Sequence, residues 1–249
     1  MTPKVVTFVQ ARMSSRRLPG KVLAPIMGEP MLMRVLSRAR RARTVDETWV
    51  LTSEDESDDP IVKLCAERGI PCFRGSLDDV LGRFVQAARV AGPDIIVRIT
   101  ADCPLVDPEV IDRTVDVLIS DSTVVYAATR MPEQRTFPVG IDVEVFWREA
   151  LERSAAVALD RYQREHVTPW FYDGSQGDPI VHVQAERDLS GHRWTVDTAE
   201  DLAFIRALWP QLPSVDAGYE EIATIVDAHP GLRALNSHVR QRHYRETGG

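Results

Sequence analysis

Lysine is nearly absent from this chain. Of 249 residues only Lys4, Lys21 and Lys63 are lysine, although lysine and arginine together number 30. Positive charge is therefore almost all guanidinium. The formal net charge is −7, which argues against general nucleic-acid binding. Cysteine is scarce too. Cys65, Cys72 and Cys103 are too few and scattered for a disulfide framework, and none has a C-x-x-C zinc spacing. No stretch approaches the roughly 18 apolar residues of a membrane-spanning helix. The opening residues MTPKVVTFVQ hold no apolar signal region with a cleavage site. There is no internal repeat, low-complexity run or dividing linker. The expectation is one cytoplasmic α/β domain over residues 1–249, with neither nucleic acid nor membrane as partner.

What is present alternates between strand and helix periods, as βαβ units around a mainly parallel sheet do. Strands are expected near residues 5–9, 48–52, 71–73, 94–99, 123–127 and 180–184, with an edge or hairpin strand over 140–146. Helices are expected near 31–41, 58–68, 77–90 (capped by Ser76), 108–118, 148–158, 163–172, from 198, 219–228 and 231–240. Residues 131–146 are the candidate for a protruding arm or dimer contact, and the polar tail over 238–249 is expected to fray.

The loop after the first strand concentrates the cationic side chains. Gln10 ends an apolar run; Arg12, Arg16, Arg17, Ser14, Ser15 and Pro19-Gly20-Lys21 follow. A cationic, hydroxyl-rich turn at the carboxyl end of a first strand is where open α/β sheets hold phosphorylated ligands. Arginine can grip phosphate oxygens with two bonds, while lysine acts as a point charge. The loop is not a Walker A motif, because Val22 follows Gly20-Lys21 and no glycine stands five residues earlier.

Carboxylates are the expected counterpart, since magnesium normally bridges phosphate oxygens from one or two of them. Asp102 lies just past an apolar strand, before Pro104. Asp107, followed by Pro108, reads as a helix cap and carries no chemistry. Asp197 precedes a helix, so a capping role competes with a functional one. Asp142 and Glu144 would share one strand face, as a substrate wall, a second metal position or a solvated edge. The acidic run at residues 54–59 reads as a solvated loop and helix start.

Residues 11–21 read ARMSSRRLPGK, which resembles A-R-x-x-S-x-R-L-P-G-K of the cytidylyltransferases that activate sugar acids. That family includes the 3-deoxy-manno-octulosonate, acylneuraminate and spore-coat-polysaccharide-type enzymes. Two further motifs match in order: D-x-P-L at Asp102-Cys103-Pro104-Leu105, and V-D-T-x-E-D-L at residues 196–202. Arg164-Glu165-His166-Val167-Thr168-Pro169 is similar to E-H-V-T-P of the spore-coat-type subgroup.

The resemblance implies a nucleotide-binding fold of the GT-A-like kind and transfer of CMP from CTP to a sugar acid, with Mg2+ held by Asp102 and Asp197. It implies that Arg12, Arg17 and Lys21 hold the triphosphate and that backbone near Gln10 and Ala11 meets the base. Ser15 and Ala101 complete the implied nucleotide site, and a homodimer is implied as well. Arg83, Arg98, Asp142, Glu144, His166 and Arg193 are candidates for contact with a small anionic acceptor, each with a structural alternative. A phosphonate or sugar-phosphate acceptor, a glycosyltransferase on a similar fold, and a nucleotide sensor stay open.

Overall fold

The computed structural model describes residues 2–132, 134–173 and 177–241. Strand β1 (Val5–Gln10) leads through the basic loop to a two-residue hairpin, β2 (Pro25–Ile26) and β3 (Glu29–Pro30), and helix α1 (Met31–Ala39). Then β4 (Glu47–Ser53), α2 (Asp59–Glu67), β5 (Cys72–Gly75), α3 (Val80–Ala91), β6 (Ile95–Thr100) and α4 (Pro108–Ser120) alternate. Next come β7 (Tyr126–Ala128), the small ladder β8 (Arg130–Met131) with β9 (Gln134–Arg135), and β10 (Glu144–Trp147). Helices α5 (Arg148–Val157), α6 (Arg161–His166) and α7 (Pro169–Tyr172) precede β11 (Ile180–His182). Helices α8 (Ala199–Leu208), α9 (Tyr219–Ala228) and α10 (Pro230–Ala234) close the chain.

Seven strands form one sheet in the order β11-β7-β10-β6-β1-β4-β5, and β10 alone runs antiparallel to its neighbours. The central strands are apolar on both faces, as parallel strands covered by helices must be. In β1, Val5 and Val9 enter one core while Val6 and Phe8 enter the other. In β6, Ile95, Val97 and Ile99 face the first core and Ile96 the second. The chain runs outward from β1 to β4 and β5, then returns to β6 on the other side of β1. Ligand crevices in such sheets lie at this reversal, beyond the carboxyl ends of the strands. Gln10 and Thr100 end the two strands in register with each other.

The sheet departs from the sequence expectation at residues 140–146. Its strand, β10, is interior, between β6 and β7. Val145 and Phe146 are fully buried, one in each core, which a solvated edge does not require. The hairpin of this region is the β8–β9 ladder, and Phe137, Ile141 and Val143 are buried. Gly140, at φ 109°, lets this segment run against the chain before α8: a Cβ there would stand 2.5 Å from the Thr195 nitrogen. Val139 bonds through both its amide and its carbonyl to residues 192–195.

Three helices also differ. Asp79, not Ser76, caps α3 by accepting from the Gly82 amide at 2.9 Å. The helix expected over 163–172 is two helices broken at Val167. The last helix ends at Ala234, and most of the tail expected to fray, residues 242–249, lies outside the described residues.

Candidate active site

The basic loop is shaped by backbone bonds before any ligand is considered. The Gly20 amide donates to the Met13 carbonyl at 2.9 Å, and Gly20, at φ 72°, caps a single 3-10 turn over Lys21–Leu23. A left-handed residue there favours glycine. Asp58 fastens the loop from below. One of its oxygens accepts from the Met13 amide at 2.7 Å, and the other from the Ser53 amide at 3.0 Å and hydroxyl at 2.5 Å. Asp58 is fully buried, so this member of the acidic run is an internal staple and not a solvated residue.

Lys21 turns inward from that loop. Its ammonium donates to Asp102 at 2.8 Å, to Asp197 at 2.9 Å and to the Val196 carbonyl at 2.7 Å. Burial by itself would lower the lysine pKa, but the two carboxylates reverse this and hold it above the ordinary value. Burial would likewise raise Asp102; Lys21 and the Thr100 hydroxyl, 2.6 Å away, hold it below the ordinary carboxylate value instead.

Asp197 is not a helix cap. Thr198 and Asp201 form the capping box of α8, which leaves the Asp197 carboxylate free for the loop. One of its oxygens meets Lys21, and the other meets Arg17 at 2.8 Å and Arg193 at 3.0 Å. Arg193 is itself clamped to the fully buried Asp201 at 2.8 and 2.9 Å. It braces Asp197 and lines neither cavity described below.

A second wall rises from β6, β10 and the helices after it. Glu144 accepts from the Tyr126 hydroxyl at 2.8 Å and the Thr168 hydroxyl at 2.6 Å, and it pairs with Arg98. Burial would raise its pKa; Arg98, Thr168 and Tyr126 outweigh this and keep it low. Arg98 also donates to the Gln10 side-chain carbonyl at 3.1 Å. That leaves the Gln10 amide nitrogen for other partners. Asp142 pairs with Arg135 at 2.7 Å.

Two cavities meet here. One, of about 300 Å3, is enclosed by the basic loop and includes Arg12, Ser15 and Lys21 in its lining. The other, of about 280 Å3, lies against Arg98, Asp142, Glu144 and Thr168. They share Gln10, Arg17, Thr100, Asp102, His166 and Asp197.

All eight residues expected around the nucleotide (Gln10, Ala11, Arg12, Ser15, Arg17, Lys21, Ala101 and Asp102) line the first cavity. Of the acceptor candidates, Arg98, Asp142, Glu144 and His166 line the second. Arg83 lines neither: it is fully buried on α3, where loss of solvent lowers its pKa to about 10. Sequence reasoning missed Thr100, Tyr126 and Thr168. Thr168 carried a signal, inside E-H-V-T-P, whereas Tyr126 reads as an ordinary strand aromatic.

The donor set fits a hard divalent ion. Asp102 and Asp197 each turn one oxygen to the same ammonium, so the space between them already accepts a cation. An oxygen-only pair suits magnesium, which keeps waters and takes phosphate oxygens as further ligands. Among the described residues no group of three or more His, Cys, Asp or Glu is placed to hold a metal alone. No helix among them is long and apolar enough to cross a membrane.

The profile of the cytidylyltransferase family matches residues 6–225. The spore coat polysaccharide biosynthesis protein SpsF of Bacillus subtilis is 32% identical over 239 residues, covering 91% of this chain and 95% of that protein. A 3-deoxy-manno-octulosonate cytidylyltransferase of Anaeromyxobacter is 30% identical, covering 82% of this chain and 96% of the relative. Among solved structures, a cytidylyltransferase from Leptospira borgpetersenii superposes with a TM-score of 0.88 at 31% identity, over 97% of this chain and all of that one.

Proposed function

The chain belongs to the cytidylyltransferase family, and we propose that it moves CMP from CTP to an acceptor oxygen of a sugar acid, releasing pyrophosphate. The observation that carries this reading is the convergence of Arg17, Lys21, Asp102 and Asp197 on one point between two cavities. Residues from the start, middle and end of the chain meet there, as a site for a polyphosphate and its counter-ion requires.

In this reading CTP occupies the loop cavity. Arg12, Arg17 and Lys21 line that cavity, and their charges would stabilise the negative charge that gathers on departing pyrophosphate. Fixed charges of this kind supply most of the rate in phosphoryl chemistry. Asp102 and Asp197 would hold magnesium, which supplies charge neutralisation on the phosphates when bound. Gln10, held by Arg98, offers its amide N–H at the seam between the cavities. The acceptor occupies the second cavity, where Arg98 and Arg130 favour an anion and the hydroxyls of Tyr162 and Thr168 suit a sugar. The named specificity of the Anaeromyxobacter relative supports an acid of the ulosonic type, and SpsF supports use in a surface polysaccharide.

Pyrophosphate release tests this, measured with CTP, UTP, GTP or ATP, magnesium, and a panel of sugar acids, sugar phosphates and phosphonates. Release that needs both CTP and a sugar acid is expected. Release driven by a phosphonate or sugar phosphate would replace the acceptor class. No release in the presence of any acceptor would overturn the reading.

A further inference from the structure

His166 stands at the seam, in the lining of both cavities. Its Nε2 is buried and has no hydrogen-bond partner among the described residues. Buried polar atoms are nearly always paired, so such an atom asks for an explanation.

The backbone holds His166 there under strain. Val167 has φ 71° and ψ −53°, and the Thr168 amide donates to the His166 carbonyl at 2.8 Å. This is a γ-turn of the rare positive-φ form, with a β-branched residue at its centre. Strain of this kind costs on the order of 1–3 kcal/mol and persists only where the surroundings over-determine it. Here they do. The Val167 side chain is fully buried in the second core, the Thr168 hydroxyl is tied to Glu144 at 2.6 Å, and Pro169 begins α7. The turn breaks a helix that the sequence pattern would otherwise continue. It leaves His166 and Thr168 lining the same cavity.

We propose that His166 is the general base that accepts the acceptor's proton as its oxygen attacks the α-phosphorus, an assignment that rests on the cytidylyl-transfer reading above. The acceptor O–H bond breaks and its proton passes to Nε2. The acceptor oxygen bonds to the α-phosphorus. The bond from that phosphorus to the bridging oxygen breaks, and its electron pair leaves with pyrophosphate.

The groups facing the imidazole agree with this role. The charges that act on it are those of Arg98 on β6, Arg130 on β8, Arg12 in the basic loop and Glu165 on its own helix. The Tyr162 ring lies 4.8 Å away, centroid to centroid. Burial first, then Arg98, Arg130 and Arg12, hold the imidazole pKa below its ordinary value, while Glu165 opposes them. That shift favours the neutral ring, with a lone pair to accept a proton. Protonation on acidification removes that lone pair, so activity should fall on the acid side, below the ordinary histidine range.

The test compares wild-type enzyme with His166→Gln and His166→Asn. Acceptor-dependent pyrophosphate release is followed from about pH 5 to 9, and CTP–magnesium binding is measured by calorimetry as a check on folding. The expected result is a roughly 10²–10⁴-fold loss of kcat, unchanged CTP affinity, and disappearance of the acidic limb in both variants. Either variant turning over within about 3-fold of wild type, or keeping the acidic limb, would overturn the assignment while leaving cytidylyl transfer intact. Absence of acceptor-dependent release by the wild type would instead overturn the underlying reading, and the base assignment with it.

Discussion

The two halves of the site are built differently. The half proposed for the nucleotide is mostly one continuous segment, shaped by its own backbone bonds and fastened by the buried carboxylate of Asp58. The half proposed for the acceptor is assembled from side chains on separate elements: Arg98 on β6, Tyr126 on β7, Glu144 on β10 and Thr168 before α7. In the proposed reading the triphosphate is met by a compact cassette, and the acceptor by a wall drawn from several elements.

The comparison can be broken at the point where the halves meet. Asp197→Ala removes the partner of Lys21, Arg17 and Arg193 together, and kcat for pyrophosphate release should fall about 10³-fold or more, with a thermal melt showing the fold retained. Near-normal turnover at saturating magnesium would remove Asp197 from the catalytic site. Glu144→Gln should sharpen it. Loss of a charged, triply bonded carboxylate should raise the acceptor KM by roughly 10-fold or more and leave the CTP KM within about 2-fold. A matching rise in both constants would mean the halves are not separable. The smallest effect is expected from Asp58→Asn. It leaves the cassette's chemistry intact but weakens its staple, costing about 1–3 kcal/mol in denaturant unfolding. Weaker CTP binding without any loss of stability would give Asp58 a direct role instead.

The same contrast explains what was legible in the sequence. Parallel strands appeared as apolar runs, and the basic loop appeared whole because its residues are neighbours in the chain. Asp102 was marked by its place after β6. Asp197 was ambiguous until Thr198 and Asp201 proved to satisfy the helix end. The interior position of β10 was hidden, because Asp142, Glu144 and Gly140 give its segment the look of an edge. Its charges are affordable inside only because Arg98, Arg135, Tyr126 and Thr168 come from elsewhere. The break at Val167 was hidden for a similar reason: nothing local favours a positive φ at valine, and only packing imposes it.

The bond between Lys21 and Asp197 spans 176 positions of the chain, and that between Lys21 and Asp102 spans 81. Contacts so distant in sequence form late, because the entropy of closing the intervening chain is lost before they can reward it. A chain still being synthesised has its basic loop long before it has Asp197. The loop lysine is then without its second carboxylate, and in the proposed reading turnover waits for that later segment to dock. In refolding, recovery of turnover should follow the slowest phase.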